Sequence, residues 1–309
     1  MSRIRTILCP VDLSALSRSE VGMAVELARA LGAELVLHHN LAATGPGMAK
    51  VWEWKENHRG AASQESVEAG MKALLADVPD GVAARSLITA GPLTIGIERL
   101  AEELPADLVV LGCHGSTTDD HSSLTEVLLH HCDCPILVLH ECPDGERARG
   151  LDLAARSGRP LRILVPTDLS AGGVAAVRYA LDLVGGLPLA AGARCHLLHV
   201  VETRQGLLRS LLGRRRAREP EAAVRAEAEA RLAELVPAAM AEHVTVRVEA
   251  GRPAAAILRA AAELEPDLIV MGEHTRDLVD RLLTRDVAQG VLHGARCPVW
   301  FVPPPRLAA

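Results

Sequence analysis

Aromatic side chains are scarce in this sequence. Its 309 residues include 3 Trp, 1 Tyr and 1 Phe, although 49% of the residues are hydrophobic. The cores must therefore be built from aliphatic side chains, and a chain of this length has enough of them for two domains. The sequence also lacks any apolar run near the roughly 18 residues that a membrane span needs. A membrane partner is therefore not expected.

The sequence also has no excess of positively charged residues. Lys and Arg number 33 against 39 Asp and Glu, which gives a net charge of −6. Because nucleic-acid binding needs a basic surface, we do not expect a nucleic-acid partner. The segment from Met1 to Asp12 has two arginines and only a short apolar run, which does not predict a signal peptide. The odd number of cysteines, 7, is typical of reduced thiols, and we predict a cytoplasmic protein.

Signatures of common enzyme classes are also missing. The sequence has no Walker loop, no Gly-x-Ser-x-Gly and no His-Glu-x-x-His. The turn after the first predicted strand is Val-Asp-Leu-Ser, which differs from the glycine-rich turn of a dinucleotide-binding dehydrogenase. We therefore predict a protein that is not an enzyme and assign no catalytic residues.

What the sequence does contain is a repeat. The stretch from Asp107 to Pro135 opens with Asp-Leu-Val-Val-Leu-Gly and ends with Cys-Pro. The stretch from Asp267 to Pro298 opens with Asp-Leu-Ile-Val-Met-Gly and ends with Cys-Pro again. Other landmarks recur in the same order, with His199 matching His39. Several landmarks in one order indicate a duplicated domain.

Each half alternates short apolar strands with helices. Ser17 and Glu20 have the spacing of a capping box at the start of the first helix. This alternation predicts a parallel sheet with helices on both faces, and right-handed crossovers favour the strand order 3-2-1-4-5. The fold class is therefore α/β, with two tandem doubly wound domains of five strands each. We place them at 1–142 and 161–309, joined by a polar, glycine-rich linker at 143–160.

The apolar runs and turn signals also predict the bounds of the elements in the first half. The expected strands are Ile4–Pro10, Leu35–His39, Val82–Ile88, Leu108–Leu111 and Ile136–Leu139. The expected helices are Ser17–Leu31, Ala61–Ala76, Gly91–Leu104 and Ser123–His131.

The predicted strand order has a switch point between strands one and four, where ligands bind in open α/β sheets. In the first half this order brings Asp12 beside Gly112. In the second half it brings Asp168 beside Gly272. These two crevices are the candidate ligand sites.

Short motifs at fixed places in this order resemble those of a known family. They are Val-Asp-Leu-Ser after strand one, Leu-His-His near strand two, Ala-Gly-Pro before helix three and Cys-Pro-Ile-Leu-Val at strand five. With them, each half resembles the universal stress protein family. The resemblance implies a cytoplasmic stress-response protein whose two domains form an internal pseudo-dimer through their fifth strands, Ile136–Leu139 and Val299–Val302. A homodimer of such chains is a further partner to consider.

One group of that family binds ATP through Gly-x-x-Gly, nine residues, then Gly and Ser or Thr. Glycines there let backbone N–H groups approach phosphate oxygens. In the first half Gly112 and Gly115 supply the opening pair, and the later position falls on Ser122 and Ser123. Only six residues, two of them aspartates, separate the two parts. ATP therefore remains a cofactor only in an alternative interpretation, an ATP or AMP switch in the first domain with slow hydrolysis.

The second half departs from the ATP pattern in a different way. Gly272 is present, but Thr275 replaces the second glycine and Arg285-Asp286 replaces Gly-Ser. Because the Asp286 carboxylate would repel a phosphate, this half resembles the family group that does not bind ATP in the same way. We therefore describe the nucleotide motif as degenerate in both halves.

The resemblance also assigns roles to residues outside the loop. It places Asp12 and Asp168 at the floor of the pocket near a nucleoside. It also implies that Asn40 and Val200, which follow the strand-two histidines, contact a nucleotide base through their backbone atoms. Asp12 and Asp168 have an open structural alternative, because an Asp ahead of a helix also accepts backbone N–H bonds without a ligand.

Two other clusters allow two interpretations each. His114, Asp119, Asp120 and His121 share one loop and suit either a divalent ion or a solvated polar loop. The basic run from Arg214 to Arg218 suits either an exposed helix start or a contact with an acidic partner or a membrane surface. We assign no metal site and leave the role of the basic run open.

Overall fold

The computed structural model describes residues 4–14, 17–41, 64–90, 100–101, 103–113, 125, 128–129, 132–140, 159–186, 192–202, 219–272 and 281–304. The chain divides into two units, one within residues 2–148 and one within residues 149–309.

The first unit is built on five parallel strands. They lie in the order β3-β2-β1-β4-β5, and every pairing between neighbours is parallel. The predicted order 3-2-1-4-5 is therefore confirmed. The strands are β1 (Thr6–Pro10), β2 (Glu34–Leu41), β3 (Ala84–Ala90), β4 (Leu108–Cys113) and β5 (Ile136–His140).

The second unit repeats this arrangement. Its strands lie in the order β8-β7-β6-β9-β10, again with parallel pairings throughout. Counted within the unit this is 3-2-1-4-5 once more, as the repeat predicts. The strands are β6 (Leu161–Thr167), β7 (Ala193–Glu202), β8 (Val244–Gly251), β9 (Leu268–Gly272) and β10 (Val299–Val302).

Helices connect the strands in both units. Because the strand order reverses its direction after the third strand, right-handed connections place the helices on both faces of the sheet. The doubly wound α/β fold is thus confirmed. The helices whose bounds are described are α1 (Ser17–Leu31), α2 (Gln64–Ala76), α3 (Ala171–Gly186), α4 (Glu219–Glu234), α5 (Pro253–Leu264) and α6 (Arg281–Gly294), with one short 3₁₀ turn at Ala238–Met240.

The aspartate that opens each repeated stretch ties strands together at the amino edge of the sheet. Asp107 accepts hydrogen bonds from the backbone N–H groups of Arg5 (2.8 Å) and Thr6 (3.1 Å). Asp267 accepts one from the N–H of Arg162 (2.9 Å) and is also ion-paired with Arg159. Both aspartates therefore hold the start of the first strand of their unit, at the edge opposite to the switch point.

Some predicted bounds differ from the observed ones. β2 runs to Leu41, beyond the predicted end at His39, because its pairing with β3 continues through Asn40 and Leu41. Polar residues can extend this strand because the parallel ladder still satisfies their backbone groups. The predicted helices at 91–104 and 123–131 fall mostly outside the described residues. None of the described helices is long and apolar enough to cross a membrane.

Candidate ligand crevices at the carboxyl edges

The loop after the first strand has the same structure in both units. Oδ1 of Asp12 accepts the N–H of Ser14 at 2.8 Å, and Oδ1 of Asp168 accepts the N–H of Ser170 at 3.0 Å. The residue between each pair, Leu13 or Leu169, has a φ of 62°, which L-residues rarely adopt. The aspartate thus stabilises a sharp turn in both units.

A histidine from the second strand holds each of these loops. Nδ1 of His39 lies 2.8 Å from the carbonyl oxygen of Val11, and Nδ1 of His199 lies 2.8 Å from that of Thr167. A carbonyl oxygen only accepts, so Nδ1 is the protonated nitrogen in both rings. The two histidines therefore fix the position of the loop that carries Asp12 or Asp168.

The predicted neighbours meet at the switch point of the first unit. β1 pairs with β4 in parallel, with Ile7 opposite Leu108, so Asp12 and Gly112 end neighbouring strands at the same edge. The hydroxyl of Ser17, at the start of α1, donates to Oδ1 of Asp12 at 2.7 Å. This bond brings α1 against the loop and defines one wall of the first crevice.

The side chain of Glu20 lies directly on Gly112. A Cβ added to Gly112 would overlap the Glu20 carboxylate, with Cγ of Glu20 at 2.9 Å. Glu20 is 7% exposed, so its carboxyl group occupies the interior of the crevice. Burial, and after it the nearby charge of Glu20, raise the pKa of the Cys9 thiol well above its ordinary value. An acidic group therefore lies in front of the glycine that opens the predicted phosphate loop.

In the second unit, backbone rather than a side chain lies against the corresponding glycine, Gly272. β6 and β9 pair in parallel, so Asp168 and Gly272 also lie at one edge. A Cβ at Gly272 would come 2.8 Å from the carbonyl oxygen of Gly172 and 3.4 Å from Cβ of Ala176. In the repeat, Ala176 stands where the first half has Glu20. The start of α3 therefore packs directly on the end of β9 in the second unit.

Position 173, also in α3, has room only for glycine. A Cβ at Gly173 would overlap Oδ1 of Asp168 and lie 2.6 Å from Oγ1 of Thr167. The N–H of Gly173 donates to Oγ of Ser170 at 3.1 Å, which makes Ser170 the cap of α3. Ser170 therefore caps α3, while Asp168 accepts the N–H of Ser170 in the turn before the helix.

The remaining candidates are spread along the second strands or lie outside the described residues. Asn40 is paired with Thr89 of β3 and Val200 with Glu249 of β8, one residue beyond the histidines, and both are partly exposed. Gly115, Ser122 and Ser123 fall outside the described residues. The same holds for the loop with His114 and His121 and for the Arg214–Arg218 run. Within the described ranges, no group of three or more His, Cys, Asp or Glu could hold a metal ion.

Glu20 and Ser17 are the site residues that the sequence interpretation missed. Their spacing predicted a capping box, whereas the structure directs both side chains into the crevice. The buried face of α1 also includes Val21, Ala24 and Ala28. Ser17 and Glu20 are polar residues on the otherwise apolar, buried face of α1, and this pattern could have indicated that they line the crevice.

Comparisons with known proteins agree with this fold. The model of the universal stress protein family matches residues 3–140 and again residues 161–303. The universal stress protein Sll1654 of Synechocystis is 30% identical over 139 residues, which cover 44% of this chain and 85% of that protein.

Two crystal structures are similar over nearly the whole chain. A universal stress protein from Archaeoglobus fulgidus has a TM-score of 0.63 at 18% identity, covering 98% of this chain and 97% of its own. A protein of unknown function from Pseudomonas aeruginosa PAO1 has a TM-score of 0.61 at 19% identity, covering 97% and 93%. At these identities the likeness shows the fold alone. With the family matched in each half, the chain belongs to the universal stress protein family and carries two of its domains in tandem.

Proposed function

We propose that this chain is a non-enzymatic, cytoplasmic stress-response protein whose two switch-point crevices do not hold ATP. The observation that carries the proposal is the buried Glu20 carboxylate on Gly112. In this proposal the two domains act as an interaction module, and neither domain is a nucleotide switch.

The charge at the first crevice is unfavourable for a phosphate. An ionised carboxylate about 4 Å from a phosphate oxygen costs about 4 kcal/mol near a protein surface, which is a factor of about a thousand in affinity. Asp12 lies at the same edge and has already used Oδ1 to accept bonds from Ser14 and Ser17. The described residues of the first crevice therefore present acidic groups where phosphate binding needs an electropositive surface.

The second crevice lacks space beside its glycine. The carbonyl oxygen of Gly172 is 2.8 Å from the place of a Cβ on Gly272, so a ligand atom there would have to displace backbone. A carbonyl oxygen also repels an anion. Together with Asp286 in the later position of the motif, this supports the absence of ATP from the second domain.

Nucleotide binding is tested on the full chain and two variants. The protein is purified, denatured to release any bound nucleotide, and titrated with Mg-ATP in a calorimeter. We expect no released nucleotide and no binding at millimolar ATP for the wild type. Glu20→Ala, which installs the alanine found at position 176, should bind ATP more tightly than the wild type. Glu26→Ala on the same helix is the matched control, because its carboxylate pairs with Arg29 at the surface.

The opposite result would support the alternative function. Stoichiometric ATP or AMP released from the wild-type protein would indicate a nucleotide-binding switch in the first domain. Hydrolysis of ATP that is abolished in a Gly112→Val variant would add a slow activity to it.

We further propose that the fifth strands, β5 and β10, pair to join the two domains. Both are fully apolar except for His140, and each is the last strand in the order of its unit. Such a strand left at the edge of a sheet favours aggregation, and pairing removes that edge. Domain boundaries at 1–142 and 161–309, with the linker at 143–160, fit this arrangement. Further homodimerisation of the chain remains an additional proposal.

The interface is tested with an engineered protease site in the 143–160 linker of the full chain. After cleavage, we expect the two halves to elute together in size-exclusion chromatography, with uncut protein as the control. Two halves that elute separately would show that no stable internal interface exists. Concentration-dependent mass measurements on the uncut chain distinguish a monomer from a homodimer.

A further inference from the structure

Two cysteines flank the turn that leads into β5. Cys132 and Cys134 are separated only by Asp133, and the chain bends at Asp133 and Cys134 before the strand begins. The N–H of Cys132 donates to the carbonyl oxygen of Leu128 at 2.8 Å, which holds the first cysteine against the preceding helical turn. The turn lies at the amino edge of the sheet, opposite to the ligand crevice.

The two thiols belong to one Cys-x-Cys segment at a bend, so their side chains are near neighbours. Hydrogen bonding from the Cys132 side chain is the main influence on the Cys134 thiol, and it lowers the pKa of Cys134. Burial and the charges of Asp107 and Asp133 raise the pKa of Cys134, but the net effect is still a lowered pKa. Residues two apart span at most about 7 Å between Cα atoms, and a bend shortens this into the range of about 4.4–6.8 Å that a disulfide needs.

Other described cysteines have different surroundings. Cys9 is 0% exposed, Cys195 1% and Cys297 5%, and Cys132 is also buried, whereas Cys134 is partly exposed. Burial raises the pKa of the Cys195 thiol to about 12. A thiol with a raised pKa is a poor attacking group, because the thiolate is the nucleophile.

The second unit provides a built-in comparison. Cys297 precedes Pro298 as Cys134 precedes Pro135, but Ala295 stands in the place of Cys132. The cysteine of the second unit is buried and has no second thiol two residues away. The duplication therefore repeats the Cys-Pro strand start without repeating the thiol pair.

We propose that Cys132 and Cys134 form a peroxide-sensitive dithiol site that oxidises to an intramolecular disulfide. Cys134 is the attacking group, since it is the more exposed of the two, and Cys132 resolves the oxidised form. The oxidant class is hydrogen peroxide or an organic hydroperoxide.

The chemistry balances in two steps. The Cys134 thiolate attacks one peroxide oxygen, the O–O bond breaks, and a sulfenic acid forms while hydroxide leaves and takes up a proton as water. The sulfur of Cys132 then attacks the Cys134 sulfur, the S–O bond breaks, and a second water leaves. Two thiols and one hydrogen peroxide thus give one disulfide and two waters. The sulfurs lose two electrons and the peroxide gains them.

The test uses the full-length protein treated with stoichiometric hydrogen peroxide, alkylated and analysed by mass spectrometry of its peptides. We expect the peptide with Cys132 and Cys134 to lose two hydrogens and resist alkylation until it is reduced. In Cys132→Ala the sulfenic acid on Cys134 should accumulate and be trapped by dimedone. In Cys134→Ser neither reaction should occur at this turn. Cys297→Ser is the matched control and should leave the disulfide yield unchanged.

A second measurement keeps the proposal independent of folding defects in the variants. In the unmodified native protein, Cys134 should react with iodoacetamide at least ten-fold faster than Cys297, and denaturant should remove the difference. The proposal is overturned if peroxide links Cys134 to a different cysteine, if it gives no disulfide at this turn, or if Cys297 reacts as fast as Cys134.

Discussion

Glu20 and Gly112 are in direct contact, so the side chain of a residue in the first helix occupies the place that any side chain at position 112 would need. The two residues therefore depend on each other. Glycine is required at the end of β4 because Glu20 is buried there. Glu20 fits because Gly112 has no Cβ.

This contact predicts strong coupling between the two positions. Gly112→Ala should destabilise the first unit by about 1–3 kcal/mol, since the added methyl overpacks a buried site. Glu20→Ala removes the obstacle, so the double variant should lose less than the sum of the single variants, with a coupling of about 1 kcal/mol or more. Urea denaturation of the four proteins measures the coupling. Strict additivity would contradict the contact.

Gly272→Ala should be more harmful than Gly112→Ala. The methyl would meet the backbone carbonyl of Gly172 at 2.8 Å, and backbone in a helix cannot rotate away as a side chain can. We expect the free energy of unfolding to fall by about 3 kcal/mol or more, at the upper end of overpacking effects.

Gly22→Ala is the control, because nothing lies within 4 Å of its added Cβ. On the exposed face of α1 it should stabilise the protein by about 0.5–1 kcal/mol. A smaller loss for Gly272→Ala than for Gly112→Ala would refute the proposed difference.

The sequence predicted the scaffold well because the scaffold depends on local patterns. Apolar runs bounded by Gly-Pro and Cys-Pro locate the strands, and α1 has the predicted bounds Ser17–Leu31. The contents of the crevice depend on tertiary packing instead. The spacing of Ser17 and Glu20 is the same whether they cap a helix or point into a pocket. Only the proximity of β4 to α1 decides between these roles.

His38 should make the stability of the protein depend on pH. Burial, and to a lesser extent the charge of His39, lower the pKa of His38 from 6.5 to about 4. Its Nε2 lies 2.8 Å from Oγ1 of Thr89, while its buried Nδ1 has no partner among the described residues. A proton on that nitrogen would therefore be costly, and the folded state keeps the ring neutral.

The sign of the effect follows from proton binding. Between pH 4 and 6.5 the unfolded chain binds more protons at this site, so stability is complete above pH 6.5 and falls as the pH falls towards 4. The pKa difference corresponds to about 3 kcal/mol. His38→Leu, which installs the residue found at position 198, should lose that part of the dependence in urea denaturation at pH 7, 5.5 and 4. His243→Gln at an exposed site is the control. An identical acid loss in wild type and His38→Leu would refute the prediction.

Asp267 should contribute more to stability than its counterpart Asp107. Asp267 is 1% exposed and accepts bonds from Arg159 and from the N–H of Arg162, whereas Asp107 is partly exposed. Removing the carboxylate by Asp267→Ala takes away the partner of two part-buried donors, one of them charged, and should cost about 3 kcal/mol or more. Asp107→Ala should cost about 1–3 kcal/mol because water can replace part of its bonding. Thermal unfolding of both variants provides the comparison, and equal losses would contradict it.

His39 and His199 should both be in the Nδ1-protonated tautomer. In each ring Nδ1 faces a backbone carbonyl oxygen at 2.8 Å, Val11 for the first unit and Thr167 for the second, and a carbonyl has no proton to donate. Tautomers of neutral histidine differ in their ¹⁵N chemical shifts, so long-range ¹H–¹⁵N correlation spectra above pH 8 identify them. His39→Gln and His199→Gln assign the two signals. Since the bond holds the loop next to Asp12 or Asp168, each variant should also speed amide exchange at Ser14 or Ser170 in its own unit only. An Nε2-protonated ring at either position would show that the histidine does not tether the loop.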